Sequence, residues 1–237
     1  MSTGAGPDGV GLALLNGFEL RAAGERVELP ASAQRLLAFL ALQHRPVQRV
    51  YVAGVLWTDS SEERSLANLR STLWRLRRPA RPIVTAHAGL LQLPAEVTVD
   101  VEQLARLARD ILEGRIECAQ AKIESLLEGD LLPDWYEDWV VMERERLRHL
   151  RLHALEALCV RLAQAGNHWY AIEAGLAAVR ADQLRESAHR ALIEAYLAEG
   201  NTAEAVRDYR SFRALLRREL GLEPSRGLQR RLEGLAH

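Results

Sequence analysis

His149 and His153 stand four residues apart in a stretch of helical periodicity, the spacing at which two imidazoles on one face grip zinc. No third ligand lies near them and arginines surround them, so no metal site is expected. Cys118 and Cys159, the only two cysteines, exclude a disulfide scaffold and a multi-cysteine zinc site. They are expected to be small helical core residues rather than a redox pair. Asp134, Glu137 and Asp138 gather beside Trp135 and Trp139. General acid–base chemistry would need a pocket and partners that nothing nearby supplies, so the tryptophans are expected to clamp the two domains, or the first helical repeat, together. There is no Gly-x-x-x-x-Gly-Lys-Ser/Thr loop to cradle a nucleotide. The chain is not expected to be an enzyme, and no cofactor is expected.

What remains is arginine. Of the 31 basic residues only Lys122 is lysine, and 32 acids bring the formal charge to −1. Residues 1–99 carry 11 arginines against 8 acids, and residues 100–237 carry 20 basic residues against 24 acids. The surplus of the first part is concentrated. Arg64, Arg70, Arg75, Arg77, Arg78 and Arg81 lie within 18 residues, with no acid after Glu63. A solvated helix face usually mixes signs, and this one does not.

The elements that position these arginines follow from local pattern. Leu12–Leu20 and Arg26–Leu29 alternate in part and are separated by Ala23-Gly24, as in a small antiparallel pair. Pro30 opens a helix over about 31–44 with Leu36, Leu37, Leu40 and Ala41 on one stripe. A shorter helix follows over about 49–57, and a third over 62–78 with Ser60 or Ser61 as its cap. Ile83–Thr85 and Leu90–Leu93 flank Ala-His-Ala-Gly, a hairpin signal. Two strands, three helices and a hairpin in that order make a winged helix. At 100° per residue, Leu66, Leu69, Leu73 and Leu76 of the third helix face the core. Arg64, Asn68, Ser71, Trp74, Arg75 and Arg78 then face outward, with Arg70 and Arg77 on a flank.

Such a face suits a DNA major groove, where arginine pairs with guanine, asparagine with adenine, and serine with phosphate or base. Arg64, Asn68 and Ser71 are assigned to base contact, Arg75 and Arg78 to phosphate or base edge, and Arg77 and Arg81 to phosphate. Trp74 either packs on sugar or a thymine methyl or covers a neighbouring element. Thr85 and His87 of the hairpin either touch backbone or minor groove or face water.

Beyond about Val101 helical periodicity dominates. Residues 157–167 align with 191–201, and their Gly-Asn pairs are 34 residues apart, the tetratricopeptide period. Gly200 is expected to mark close helix packing. The fold class is therefore mainly α. It comprises a disordered tail over 1–9, a winged helix-turn-helix over 10–99 and an all-α tetratricopeptide-like domain over 100–237. The N-terminus lacks a basic region and a long apolar run, and no stretch approaches a membrane span. A cytoplasmic, nucleoid-associated protein with no membrane partner is expected.

At these residues the chain resembles the SARP family, the antibiotic regulatory proteins of actinomycetes. The carrying segments are residues 33–40, Val55-Leu56-Trp57, 68–78, Asp134-Trp135 with Trp139-Val140, 143–147, and Arg218 to Ser225. The resemblance covers residues 10–235 and implies an OmpR-like winged helix joined to a bacterial transcriptional activator domain. It further implies an activator that binds promoter direct repeats in double-stranded DNA and recruits RNA polymerase holoenzyme at a secondary-metabolite, antibiotic biosynthesis cluster. A homodimer, at least on DNA, is compatible with it. A second reading is a helical-repeat adaptor whose winged helix has lost DNA binding and whose helices hold a peptide partner.

Overall fold

The computed structural model of the chain describes residues 9–43, 45–77, 83–115, 121–127 and 129–233. The expected tail, apart from Gly9, falls outside these residues, as do Arg78, Arg81 and Cys118. The chain forms two compact units. One takes the chain to Leu104 and adds Gly129–Glu145; the other comprises Ala105–Glu128 and Arg146–His237.

The first unit is a winged helix. Strands β1 (Val10–Ala13), β2 (Glu19–Ala22) and β3 (Glu25–Arg26) run as a meander, and β7 (Val97–Val99) joins β1 in parallel, giving the order β3-β2-β1-β7. Leu12 pairs across to Leu20 on one side and Val99 on the other, and all three side chains are buried. Leu12–Leu20 is thus not one segment, because Asn16 (φ 65°) and Gly17 turn the chain between two strands. Helix α1 (Ala31–Ala41) buries Leu36, Leu37, Phe39 and Leu40. It is followed by β4 (Val47–Gln48), α2 (Arg49–Leu56), α3 (Glu62–Leu76), β5 (Thr85–His87) and β6 (Leu90–Gln92). Strands β4, β6 and β5 form a second sheet, the wing.

Past β1 the buried backbone still needs partners. Asp100, the first residue of α4 (Asp100–Leu112), accepts from the amides of Leu14 (2.9 and 3.0 Å), Leu15 (3.0 Å) and its neighbour Val101 (2.7 Å). The chain then returns: the Asn16 amide donates to Asp130 O at 2.8 Å, and the Leu132 amide to Leu14 O at 2.9 Å. A Cβ on Gly129 would fall on the Asn16 side-chain amide, at 1.6 Å from its oxygen. The Arg144 guanidinium donates to the carbonyls of Leu131, Leu132 and Trp135 and so closes the returning segment into a loop. Arg144 belongs to α6 (Asp138–Gln164), a helix that contributes residues to both units.

The second unit holds a short α5 (Ala121–Leu126), the remainder of α6, then α7 (His168–Ala181), α8 (Glu186–Glu199), α9 (Thr202–Leu220) and α10 (Arg226–Glu233). The expected repeat appears as a repeated helix ending. The Gly166 amide donates to Ala163 O and the Asn167 amide to Leu162 O. Thirty-four residues on, Gly200 donates to Leu197 O and Asn201 to Tyr196 O. This pair of bonds is a Schellman motif, which needs left-handed backbone at its glycine, and Gly200 has φ 89°. Gly200 faces open space, so backbone conformation and not close packing is what it supplies. The close approach lies at Gly175, whose added Cβ would sit 3.1 Å from the Leu192 Cα. Small buried residues line both helices there: Ala171, Ala174 and Ala178 on α7, and Ala188, Ala191 and Ala195 on α8. Between α8 and α9, buried His189 stacks on Phe212 at 4.2 Å; its ring nitrogens meet Asp208 Oδ2 (2.9 Å) and Gln183 O (3.1 Å).

Two outcomes follow from this packing. Gly200→Asn, which tolerates left-handed backbone, will lower the melting temperature less than Gly175→Val, which drives a side chain into Leu192. Burial lifts the Asp100 carboxyl above its ordinary range, against the pull of the backbone amides of Leu15, Leu14 and Val101. A raised folded value means the folded chain holds that proton more tightly. The associated stability is therefore complete at low pH and falls as pH rises through that value. Melting curves followed from acid toward neutral pH should show this slope flattened in Asp100→Asn. Asp100→Ala, which orphans the Leu14 and Leu15 amides, should cost about 1–3 kcal/mol in denaturant unfolding.

Candidate nucleic-acid interface

Helices α2 and α3 and the turn between them form the helix-turn-helix, with Val52, Ala53 and Leu56 of α2 buried. Ser61 caps α3 by accepting from the Arg64 amide at 3.4 Å, and Glu62 and Glu63 in the first turn complement the helix dipole. The buried stripe of α3 is Ser65, Leu69, Thr72 and Leu76, not four leucines. Leu66 and Leu73 are only half-buried on its flank. The helix can bury two hydroxyls because it satisfies them itself. Ser65 Oγ donates to Glu62 O at 2.8 Å and Thr72 Oγ1 to Asn68 O at 2.9 Å.

Away from that stripe Arg64, Ser71, Trp74, Arg75 and Arg77 are exposed, Trp74 at 61%. Asn68 is half-buried on the edge of the face. Arg78 and Arg81 lie outside the described residues. Arg70, which helical spacing puts on a flank, is exposed as well and stands with the outward set. Arg64, Arg70, Arg75 and Arg77 have no carboxylate partner among the described residues.

Several arginines elsewhere are matched. Arg35 meets Glu137 at 2.8 Å, Arg185 meets Glu156 at 2.6 Å, Arg148 meets Asp182 at 3.2 Å, and Arg213 meets Glu223 at 2.7 Å. A row of cations left without acids on one helix is a standing electrostatic attraction for a polyanion.

The wing adds a second point. Ala88 and Gly89 turn the β5–β6 hairpin at φ 48° and 79°, and the Gly89 carbonyl accepts from the Arg49 amide at 3.0 Å. His87 is exposed, whereas Thr85 is half-buried and its hydroxyl donates to Gln92 O at 3.2 Å. Arg49, the first residue of α2, is half-buried and likewise has no carboxylate partner among the described residues. Its signal was available in the sequence, since no acid occurs between Glu28 and Asp59.

The other candidates resolve into structure. His149 lies against Arg148, while His153 lies against Arg185 and Glu156. Cys159 is buried with its thiol donating to Ala191 O, and burial, then Glu194 and Glu156, push it up to about 12. A thiol so placed stays protonated and inert. Glu137 is engaged by Arg35, and the tryptophans serve inside the first unit. Phe18 stacks on Trp135 at 6.2 Å, Trp135 meets Trp139 edge-on at 6.3 Å, and Trp139 meets Phe39 edge-on at 5.3 Å.

Comparison with known proteins bears on this arrangement. Residues 97–235 match the family model of the bacterial transcriptional activator domain. The chain is 29% identical over 220 residues to the regulatory protein AfsR of Streptomyces coelicolor, covering 87% of this chain but 22% of that protein. It is 27% identical to the regulatory protein DnrI of Streptomyces peucetius, covering 83% of this chain and 80% of that one. Among solved structures, Mycobacterium tuberculosis EmbR, in a complex with a low-affinity phosphopeptide, is similar with a TM-score of 0.76 and 20% identity. That match covers 96% of this chain and 65% of the other.

The rotated stripe of α3 has a direct check. Leu69→Ala should cost about 2–5 kcal/mol, as for a fully buried leucine, and Leu66→Ala markedly less. Equal losses in chemical denaturation would restore the four-leucine face.

Proposed function

The chain belongs to the SARP family of regulators, with their bacterial transcriptional activator domain over residues 97–235, and from that premise we propose a sequence-specific DNA-binding activator of transcription. The family is one of regulators and not of enzymes. Among the described residues no helix is long and apolar enough to cross a membrane. The observation that carries the proposal is the α3 face, where Arg64, Arg70, Arg75 and Arg77 stand exposed without acid partners among the described residues.

In this reading α3 lies in the major groove with its N-terminal half against base edges. Arg64 and Ser71 reach bases or the adjacent phosphate, and Asn68 reads adenine from the edge of the face. Its half-burial restricts its rotamers, which favours a fixed amide over a mobile one. Arg75 and Arg78 hold phosphate or a base edge, and Arg70, Arg77 and Arg81 hold phosphates. Arg49 at the start of α2 adds a phosphate contact, fixed by the bond from its amide to the wing turn. His87 reaches toward the minor groove. The Thr85 hydroxyl, whose proton is given to Gln92, contributes less. Trp74 covers sugar or a thymine methyl.

Such binding releases condensed counterions, and affinity falls with salt by about 0.9 log per log for each neutralised phosphate. Direct repeats one helical turn apart would place successive copies on one DNA face, where they recruit RNA polymerase holoenzyme. A secondary-metabolite cluster is the proposed target.

Anisotropy on a repeat-bearing promoter duplex, and on its single-base variants, tests the assignment. Asn68→Ala should relax preference at one base pair by about 1–3 kcal/mol, whereas Arg77→Ala should weaken every sequence alike and lower the salt slope by about 1. Uniform losses for Asn68→Ala would remove its reading role. Unchanged affinity in Arg75→Ala together with Arg64→Ala would remove the face itself.

A further inference from the structure

We infer that a groove of the second unit, between α6 and α8, is a binding site for an acidic peptide segment bearing one apolar side chain. The groove holds about 430 Å³, within the range of ligand-binding clefts. Its floor is small and apolar: Ala157 and Val160 from α6, Ala191 from α8, and Leu112 at the end of α4. Small residues there let a main chain approach closely. Residues 153–161 of α6 span about 12 Å, room for roughly three or four residues of extended chain.

The charges of the rim decide the occupant. Among the described residues two carboxylates line the groove, and both are answered from within the fold. Glu156 accepts from Arg185 Nε at 2.6 Å and from Ser187 Oγ at 2.7 Å, and Glu194 meets Arg231 at 3.0 Å. Two cations line it, Arg161 and Arg190, and neither meets an acid among the described residues. Arg161 donates to the carbonyls of Ile111 and Leu112, which orient its guanidinium without cancelling its charge. Arg190 is exposed with no carboxylate partner among the described residues. His153 adds a polar edge on the same side. The rim thus carries an uncompensated positive charge over an apolar floor. A basic segment is repelled, and a neutral one leaves the arginines unanswered. An acidic segment gains two charge-assisted contacts while its apolar side chain covers the floor.

The site does not depend on the DNA reading. The test uses the full labelled chain on an array of random 12-residue peptides. Bound sequences should be enriched in Asp and Glu around an apolar residue. Arg190→Glu, which reverses the rim, and Ala157→Leu, which fills the floor, should each weaken the selected peptides about tenfold, while Arg190→Lys retains them. Melting curves confirm that each variant is folded; if Ala157→Leu fails this check, Arg190→Glu with Arg190→Lys decides alone. No enrichment, enrichment of neutral or basic sequences, or acidic peptides held equally by Arg190→Glu would each overturn the proposal.

Discussion

Buried backbone that has run out of strand is the constraint on which the first unit depends. β1 ends at Ala13, yet Leu14 and Leu15 remain buried beyond it. Amides in that position cannot be left dry and unpaired. One carboxylate, Asp100, takes those of Leu14 and Leu15 and thereby starts α4; the carbonyl of Asp130 takes that of Asn16 and so draws in a distant piece of chain. That piece brings Trp135 and Trp139 against Phe18 and Phe39, and Glu137 to Arg35 of α1. α1 in turn is a helix against which α3 packs. The face that carries the arginines is held through this sequence of contacts.

Arginine serves three purposes in this chain, and burial and partners distinguish them. Arg144 and Arg161 spend their forks on carbonyls left over by helix ends and loops. Arg35, Arg185 and Arg213 answer carboxylates, and the exposed pairs among these contribute little to stability. The exposed group on α3 does neither among the described residues, and Arg49 and Arg190 share that condition. Composition gives no hint of this division, because a near-zero total charge is compatible with any placement of the same residues.

Much of the fold is legible in local pattern. The order of strands and helices around the winged helix follows from periodicity and turn residues, and the 34-residue offset of the Gly-Asn pairs marks the two helix endings, though not what their glycines do there. The failures are tertiary. Three residues, Val97–Val99, become a strand only because β1 lies beside them. Ser65 and Thr72 replace leucines in the buried stripe because their hydroxyls close onto their own helix, a possibility that a hydrophobicity pattern scores against. Of the candidate site, the exposed arginines of α3 are legible from helical spacing. The half-burial of Asn68 and the anchoring of Arg49 beside the wing are not, since each depends on a neighbour remote in sequence.

The return of Gly129–Glu145 to the first unit has a consequence for how such chains can be recombined. That stretch lies inside the region matched by the activator-domain family, while its aromatic and polar partners lie near the opposite end of the chain. A crossover near residue 99 between two relatives would leave one parent's Phe18, Asn16 and Arg35 facing the other's Trp135, Gly129 and Glu137. The two stretches must be inherited together or compensate together. The seam along which this architecture can be exchanged is therefore not a single point in the chain, and chimeras keep their interior intact only when both pieces travel from the same parent.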